Sequence, residues 1–360
     1  MLLWKAGVYM ANWYTTRESV KRAASLFGSA RHPQIDSTIE AVSNTISRQT
    51  RRNFIPKTDT ILFRWPQPRS NNSTALWTNE DLLSVTTLQT KAQNTSPTTI
   101  ASTDYFLEPS QFPPYDRIEI DESSTASFES GDTQQRSIGV TGLWGYSQET
   151  KSAGSVVSGL SSDSTATSMV ISDGSLIDVG HSLLIESEQI FVTGRSSAAE
   201  PNSDLLDGAL TASRSETVTV DSGSRYSVDE VILVDSEQML ITGISGNVLG
   251  VVRAYDGTTL ASHSNNTAVH VFRTLTIERG VNGTTAATHA NSTSISVYEP
   301  EFQIQQLAIG MTLAQLAQES ASWGRSVGGG DGAFEFSGKN LDTYISTTMH
   351  QWQRPRSEAI

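Results

Sequence analysis

Residues 182–194, SLLIESEQIFVTG, recur at 231–243 as VILVDSEQMLITG, 49 positions later and without a gap. The register continues upstream: Met169, Val170 and Ile171 fall on Val218, Thr219 and Val220, and Gly174-Ser175 falls on Gly223-Ser224. Part of the chain is therefore a duplication, and it separates an inserted module from its flanks. A second repeat lies downstream. Arg253-Ala-Tyr-Asp-Gly-Thr-Thr, His263 and Val269-His-Val return 26 residues later as Arg279-Gly-Val-Asn-Gly-Thr-Thr, His289 and Ile295-Ser-Val. The two patterns occur in the order first, first, second, second, which arises when one complete unit is inserted between the halves of another. A tandem array would alternate them. The sequence thus predicts a nested unit over 216–272 inside an outer unit made of 167–197 and 273–299. Alternation of Leu233, Asp235 and Glu237 with Val234, Ser236 and Gln238, β-branched residues, and the turn pairs Asp256-Gly257 and Asn282-Gly283 predict β-hairpins in both.

Composition marks the same division. All seven Trp lie outside 167–299, and no Lys occurs between Lys151 and Lys339. Residues 152–299 hold 17 Asp and Glu against 6 Arg, whereas the rest holds 21 against 19 Lys and Arg. Acidity on this scale repels nucleic-acid phosphates, which argues against DNA binding by the module. The expected organisation is 1–151 as the N-terminal part of a frame, 152–299 as the inserted β-module and 300–360 as the C-terminal helices of the frame. The chain has no Cys, so it has neither a disulfide framework nor a Cys-based metal site. The opening MLLWKAGVYMANW is too short to span a bilayer and lacks a leading positive segment, so it reads poorly as a signal peptide, and Met1 and Met10 are both candidate starts.

In the flanks, Thr15-Thr-Arg-Glu18 reads as a capping box opening a short helix toward Leu26. Pro33 suits the first turn of a longer helix whose Ile35, Ile39, Val42 and Ile46 follow the helical period and which ends near Phe54. Short β segments follow at 61–65, 82–88, 104–109, 117–121 and 137–146. Helical spacing returns at 302–323 with two apolar stripes: Ile304, Leu307, Ala308 and Met311 on one side, Ile309, Leu313, Leu316 and Trp323 on the other. One stripe is expected to cover the sheet and the other to face a neighbouring subunit. A last helix follows the glycine-rich turn 328–332, carries Leu341, Tyr344, Ile345, Thr348 and Trp352 on one face, and stops at Pro355. The expected fold class is α+β: a helical frame with a small antiparallel sheet, plus an inserted all-β module of two related, nested units.

A capped N-terminal helix, a second helix ending in Arg51-Arg52-Asn53-Phe54, the strand DYFLEP at 104–109, a strand closing as Val140-Thr-Gly-Leu-Trp-Gly-Tyr146, and terminal helices rich in Gln, Ala and Tyr together resemble the head-to-tail connector (adaptor) proteins of long-tailed bacteriophages. The resemblance covers roughly 13–150 and 300–356. The segment from Arg279 to His289 is also similar to phage β-modules, while 148 residues of insert depart from the compact family frame. The resemblance implies a structural virion protein, assembled in the host cytoplasm and located in the neck. There it forms a homo-oligomeric ring, generally of twelve copies, beneath the portal protein and gives a platform to the next neck or tail-completion protein. It implies no catalysis, cofactor, metal or membrane. A closed ring needs two different surfaces per subunit, and Ile309, Leu313, Leu316, Trp323, Leu341, Tyr344 and Trp352 are the candidates for subunit or portal contacts. Arg48, Arg51 and Arg52 are candidates for facing portal or a DNA channel, with transient non-specific contact to packaged DNA, although cations at a helix C-terminus are also ordinary helix chemistry.

Residues that suggest chemistry read more simply as structure. His263 and His289 hold equivalent repeat positions, which predicts a repeated structural role such as bonding a turn backbone. Glu188 and Glu237 read as solvated hairpin features, since duplicated turns do not aim two carboxylates at one sugar. Gly328-Gly-Gly330-Asp-Gly332 lacks the Lys-Ser/Thr of a phosphate-binding loop and reads as a flexible connection. The alternative function is a tail or baseplate protein whose Ser/Thr-rich β-module binds host-surface carbohydrate. A secreted hydrolase is disfavoured because no nucleophile elbow or metal-ligand spacing is present.

Overall fold

The computed structural model describes residues 12–26, 28–66, 74–161, 163–198, 204–320, 326–327, 334–335 and 339–354. Two helices come first, α1 (Arg17–Ala23) and α2 (His32–Thr50). The N-cap of α1 is Thr16 rather than Thr15: its hydroxyl accepts from the Ser19 N–H at 3.1 Å. Glu18 therefore does not reach back to close a capping box, and its carboxylate is directed elsewhere. Pro33 occupies the first turn of α2, and Ile35, Ile39, Val42 and Ile46 are buried along one face.

Six antiparallel strands follow: β1 (Lys57–Phe63), β2 (Ala75–Thr90), β3 (Thr98–Ile100), β4 (Tyr105–Glu108), β5 (Tyr115–Ile120) and β6 (Ile138–Trp144). They pair in the order β1-β6-β2-β5-β4, with β3 on the end of β2. Alternation turns Leu76, Leu82, Leu88, Ile118, Ile120, Ile138 and Val140 inward around Trp144, which is wholly buried and donates its indole N–H to the Asp59 carbonyl at 3.1 Å.

The chain then enters a second sheet through β7 (Thr150–Ser155), β8 (Ser168–Val170), β9 (Ser182–Ile185), β10 (Glu188–Ala198), β11 (Asp204–Leu205), β12 (Thr217–Thr219), β13 (Val231–Val234), β14 (Glu237–Ser245), β15 (Val248–Tyr255), β16 (Ala268–Arg279) and β17 (Ser294–Tyr298). The main path is β12-β15-β14-β13-β16-β10-β9-β17-β7, with β8 and β11 also on β16. Strand β16 serves two neighbourhoods. Val269, His270 and Val271 pair with β13, while Thr274 to Arg279 pair with β10.

Two hydrophobic cores sit on this sheet. One contains Met169, Ile171, Leu183, Ile185, Ile190 and Val192 with Leu275, Ile277, Ile295 and Val297. The other contains Val218, Val220, Ile232, Val234, Met239 and Ile241 with Leu249, Val251, Val269 and Val271. The first six of each set are related by the 49-residue offset and the last four by the 26-residue offset. A leading segment also belongs to each unit, upstream of 167 and of 216. Val156 bridges Ile171 and Leu160 bridges His289, as Leu206 bridges Val220 and Leu210 bridges His263.

Helices α3 (Phe302–Ser320) and α4 (Lys339–Trp352) close the chain. Ile304, Leu307 and Ala308 pack with Tyr14, Val42, Ile46, Phe54, Ile55 and Tyr298, and Leu316 packs with Val20, Ile35 and Ile39.

Among the described residues the protein is thus mostly β, with 39% strand in two large antiparallel sheets and 19% helix in 4 short helices, which corrects the expected helical connector frame with a small sheet. The reason is where the apolar surface goes. Strands 57–144 bury their inner face in a core of their own, and α3 packs on α1, α2 and α4 instead of covering that sheet. Ser326–Val327 pairs with Phe334–Glu335. The glycine run 328–332, Trp323 and Pro355 lie outside the described residues. Among the described residues, no helix is long and apolar enough to cross a membrane.

Candidate assembly interface

Each unit of the β-module is cross-linked by the same buried ion network. Glu188, at the start of β10, receives Arg279 Nε at 2.9 Å and Nη2 at 2.6 Å, and the backbone N–H groups of Gly280 and Ala287 at 3.1 and 3.0 Å. His289 sits between Glu188 and Glu186, at 2.8 Å from each. In the second unit Glu237 receives Arg253 at 2.7 and 2.8 Å, Ala254 at 2.9 Å and Ala261 at 3.0 Å, and His263 sits between Glu237 and Asp235 at 2.9 and 2.7 Å. Glu188 and Glu237 are fully buried, so the reading of both as solvated hairpin features is corrected. The histidines bond carboxylates rather than turn backbone. Burial alone would raise the Glu237 carboxyl, but the bonds from Arg253, His263 and the backbone outweigh it and hold it at about 2; Glu188 is lowered in the same way. Carboxylates whose lone pairs are all occupied inside a core serve as structural cross-links.

The module docks on the flanks through equivalent turns. Asn282-Gly283 of the outer unit meets the start of β1, where the Thr58 N–H donates to the Asn282 carbonyl at 2.9 Å and a Cβ on Gly283 would lie 1.9 Å from the Thr58 oxygen. Gln189 Nε2 donates to the Pro56 carbonyl at 3.0 Å. The corresponding turn of the nested unit, Asp256-Gly257, meets α1, where Lys21 pairs with Asp256 and stacks on Tyr255 at 5.0 Å. Glu18 accepts from the Val179 N–H at 3.0 Å, and Arg22 pairs with Asp178 at 3.1 Å. Burial, reinforced by the neighbouring Asp178, pushes the Glu18 carboxyl up to about 7 against the pull of Arg195 and Arg17.

The residues singled out for assembly divide into packed and outward groups. Leu316 is core at 4% exposure, Leu313 is half-buried against the same cluster, and Ile309 is half-buried. Trp352 is locked within the chain: its indole donates to Gln303 at 3.0 Å, and its ring meets Tyr146 and Phe54 edge-on at 5.2 and 5.9 Å. Tyr344 is exposed, as is Phe302, which the sequence reading did not single out. The side chain of Leu341 lies outside the described residues. Of the arginines, Arg48 and Arg51 are exposed, the latter in the left-handed conformation that ends α2. Arg52 pairs with buried Asp81 at 3.1 Å and lies over Tyr146 at 4.7 Å. Arg354, 302 residues further on, joins the same carboxylate at 3.6 Å, a pairing that no local pattern announces.

No family model matches this chain, and neither does any curated protein or any solved structure. Among the described residues, no group of His, Asp and Glu is arranged to hold a metal ion. A shallow cleft at the joint of module and helices is lined by Trp13, Thr16, Ser19, His181, Tyr298 and Gln305, among others. His181 there is held by the Asp178 N–H, which donates to its Nδ1 at 3.0 Å, and burial lowers its pKa.

Proposed function

We propose that the protein is a structural component of the neck of a long-tailed bacteriophage, a head-to-tail connector that forms a ring beneath the portal and presents a platform to the next neck or tail protein. The observation that carries this reading is the outer side of α3. Its 19 residues include a single charged side chain, Glu319, while Phe302 is exposed and Ile309 remains half-buried. A surface helix with one charge in 19 residues suits a protein neighbour better than water, and a copy of the same chain, meeting it with a different face, closes a ring. The segments that carry the family resemblance also converge: the Tyr146 N–H donates to the Asn53 carbonyl at 2.7 Å, and Arg52 and Phe54 both contact the Tyr146 ring. In this reading the protein is not an enzyme, and its module is an outward lobe. Sedimentation velocity with and without purified portal tests it. The expected result is a small species alone and a portal-bound oligomer in the mixture, lost in Phe302→Asp/Ile309→Asp. Absence of portal binding, or binding of host-surface glycan by the intact protein, would replace the connector reading.

A further inference from the structure

The sheet of β1–β6 buries one face and turns the other outward. At its β2-β5-β4 end, register places Trp77 opposite Arg117, Arg117 opposite Glu108, and Glu119 opposite Phe106, all on the outward face. Alternation normally puts polar side chains there. Instead Trp77 is 52% and Phe106 53% exposed, and Phe112, in the connection from β4 to β5, is 70% exposed. None of these rings belongs to the core, which is built on the opposite face by Leu76, Leu107 and Ile118. Arg117 lies over the Trp77 ring at 4.7 Å and contacts Glu119 at 2.7 Å. The guanidinium is therefore held between the indole and a carboxylate, while the indole itself remains half exposed.

Charge indicates what would cover this face. Residues 104–122 carry six carboxylates, Asp104, Glu108, Asp116, Glu119, Asp121 and Glu122, against Arg117 alone. The remainder of the flanks has 15 carboxylates against 18 Lys and Arg, so the acidity is local to this end of the sheet. Nucleic acid is repelled by such a border. We propose that the outward face around Trp77, Phe106 and Arg117 docks a basic polypeptide segment that presents two apolar side chains. From strand spacing and pleat, the two rings are about 12 Å apart, which side chains four residues apart on an extended strand span. Exposed aromatics beside an ordered arginine are the residue types that dominate binding energy at protein interfaces. This surface is separate from α3, and the proposal stands without the ring.

The test is fluorescence anisotropy of the intact protein with a labelled peptide of alternating lysine and leucine, and with its counterpart of alternating glutamate and leucine. The lysine peptide should bind, the glutamate peptide at least about tenfold more weakly. Trp77→Ala/Phe106→Ala and Glu108→Gln/Glu119→Gln should each weaken the lysine peptide by about tenfold or more. Val228→Ala, exposed elsewhere, should leave binding unchanged. Thermal melts should match the parent because all four substituted side chains lie off the core; a shifted melt is answered by the single variants Trp77→Ser and Phe106→Ser. Equal binding of both peptides, no binding, binding indifferent to Trp77 and Phe106, or self-association lost in the double variant would overturn the proposal.

Discussion

Glu188 and Glu237 are carboxylates enclosed in the two cores of the module. Each holds an arginine, a histidine and two backbone N–H groups inside a core. Removing one partner leaves an uncompensated buried charge, so Glu237→Gln, which strands Arg253, should cost about 3–5 kcal/mol, measured by urea unfolding. Glu188→Gln should behave alike if the two units are equivalent, and a cost under about 1 kcal/mol in both would mean that the networks are solvated. The Glu237 carboxyl is depressed from 4.5 to about 2, so its contribution is complete above about 4.5 and is lost as pH falls through about 2. Glu18 has the opposite sign. Raised from 4.5 to about 7, it binds more protons in the folded than in the unfolded state between those values. Stability should fall as pH rises across that window, and Glu18→Gln, which keeps an acceptor for the Val179 N–H, should flatten the slope of melting temperature against pH. An unchanged slope would place Glu18 in solvent.

At the scale of elements, Trp144 anchors the strands that distinguish this chain from a helical frame. It is wholly buried with its indole N–H bonded, so Trp144→Ala should cost about 3–5 kcal/mol. A variant that melts like the parent and fails only in assembly would move Trp144 to an interface. Much of this level was readable in the sequence, because alternation at 61–65, 82–88 and 137–146 and helical spacing at 33–54 are local signals. The balance between layers was not, because the sequence does not say which apolar face meets which: α3 carries stripes that suit either a sheet or other helices, and it packs on helices. The networks were half legible. Repetition flagged His263, His289, Glu188 and Glu237 as equivalent, but their burial depends on Arg253 and Arg279 folding back across the hairpins. Arg354 on Asp81 and the exposed Trp77 and Phe106 left no periodic trace at all.

At the scale of the whole molecule, the duplication makes a piece removable. Among the described residues the second core draws only on 206–271, while Ser196 pairs with Thr274 across the neck of the insertion. Replacing 200–271 by a two-residue Asn-Gly turn should therefore leave a cooperatively folding protein that melts lower, having lost the Glu230 bonds to Gly174 and Arg273 and the Lys21–Asp256 pair. A broad, non-cooperative melt would show that the units share one core. A net charge of −13 per chain, with the excess in the module, also predicts no measurable affinity for duplex DNA at physiological salt; sub-micromolar, salt-sensitive binding in a titration would contradict that expectation. The most direct measurement is electron microscopy of DNA-filled, tailless particles that carry the portal and lack this protein, imaged before and after adding it. If the protein is a connector, a new ring of density with acidic lobes projecting outward appears at the portal vertex; an unchanged portal vertex would contradict that reading.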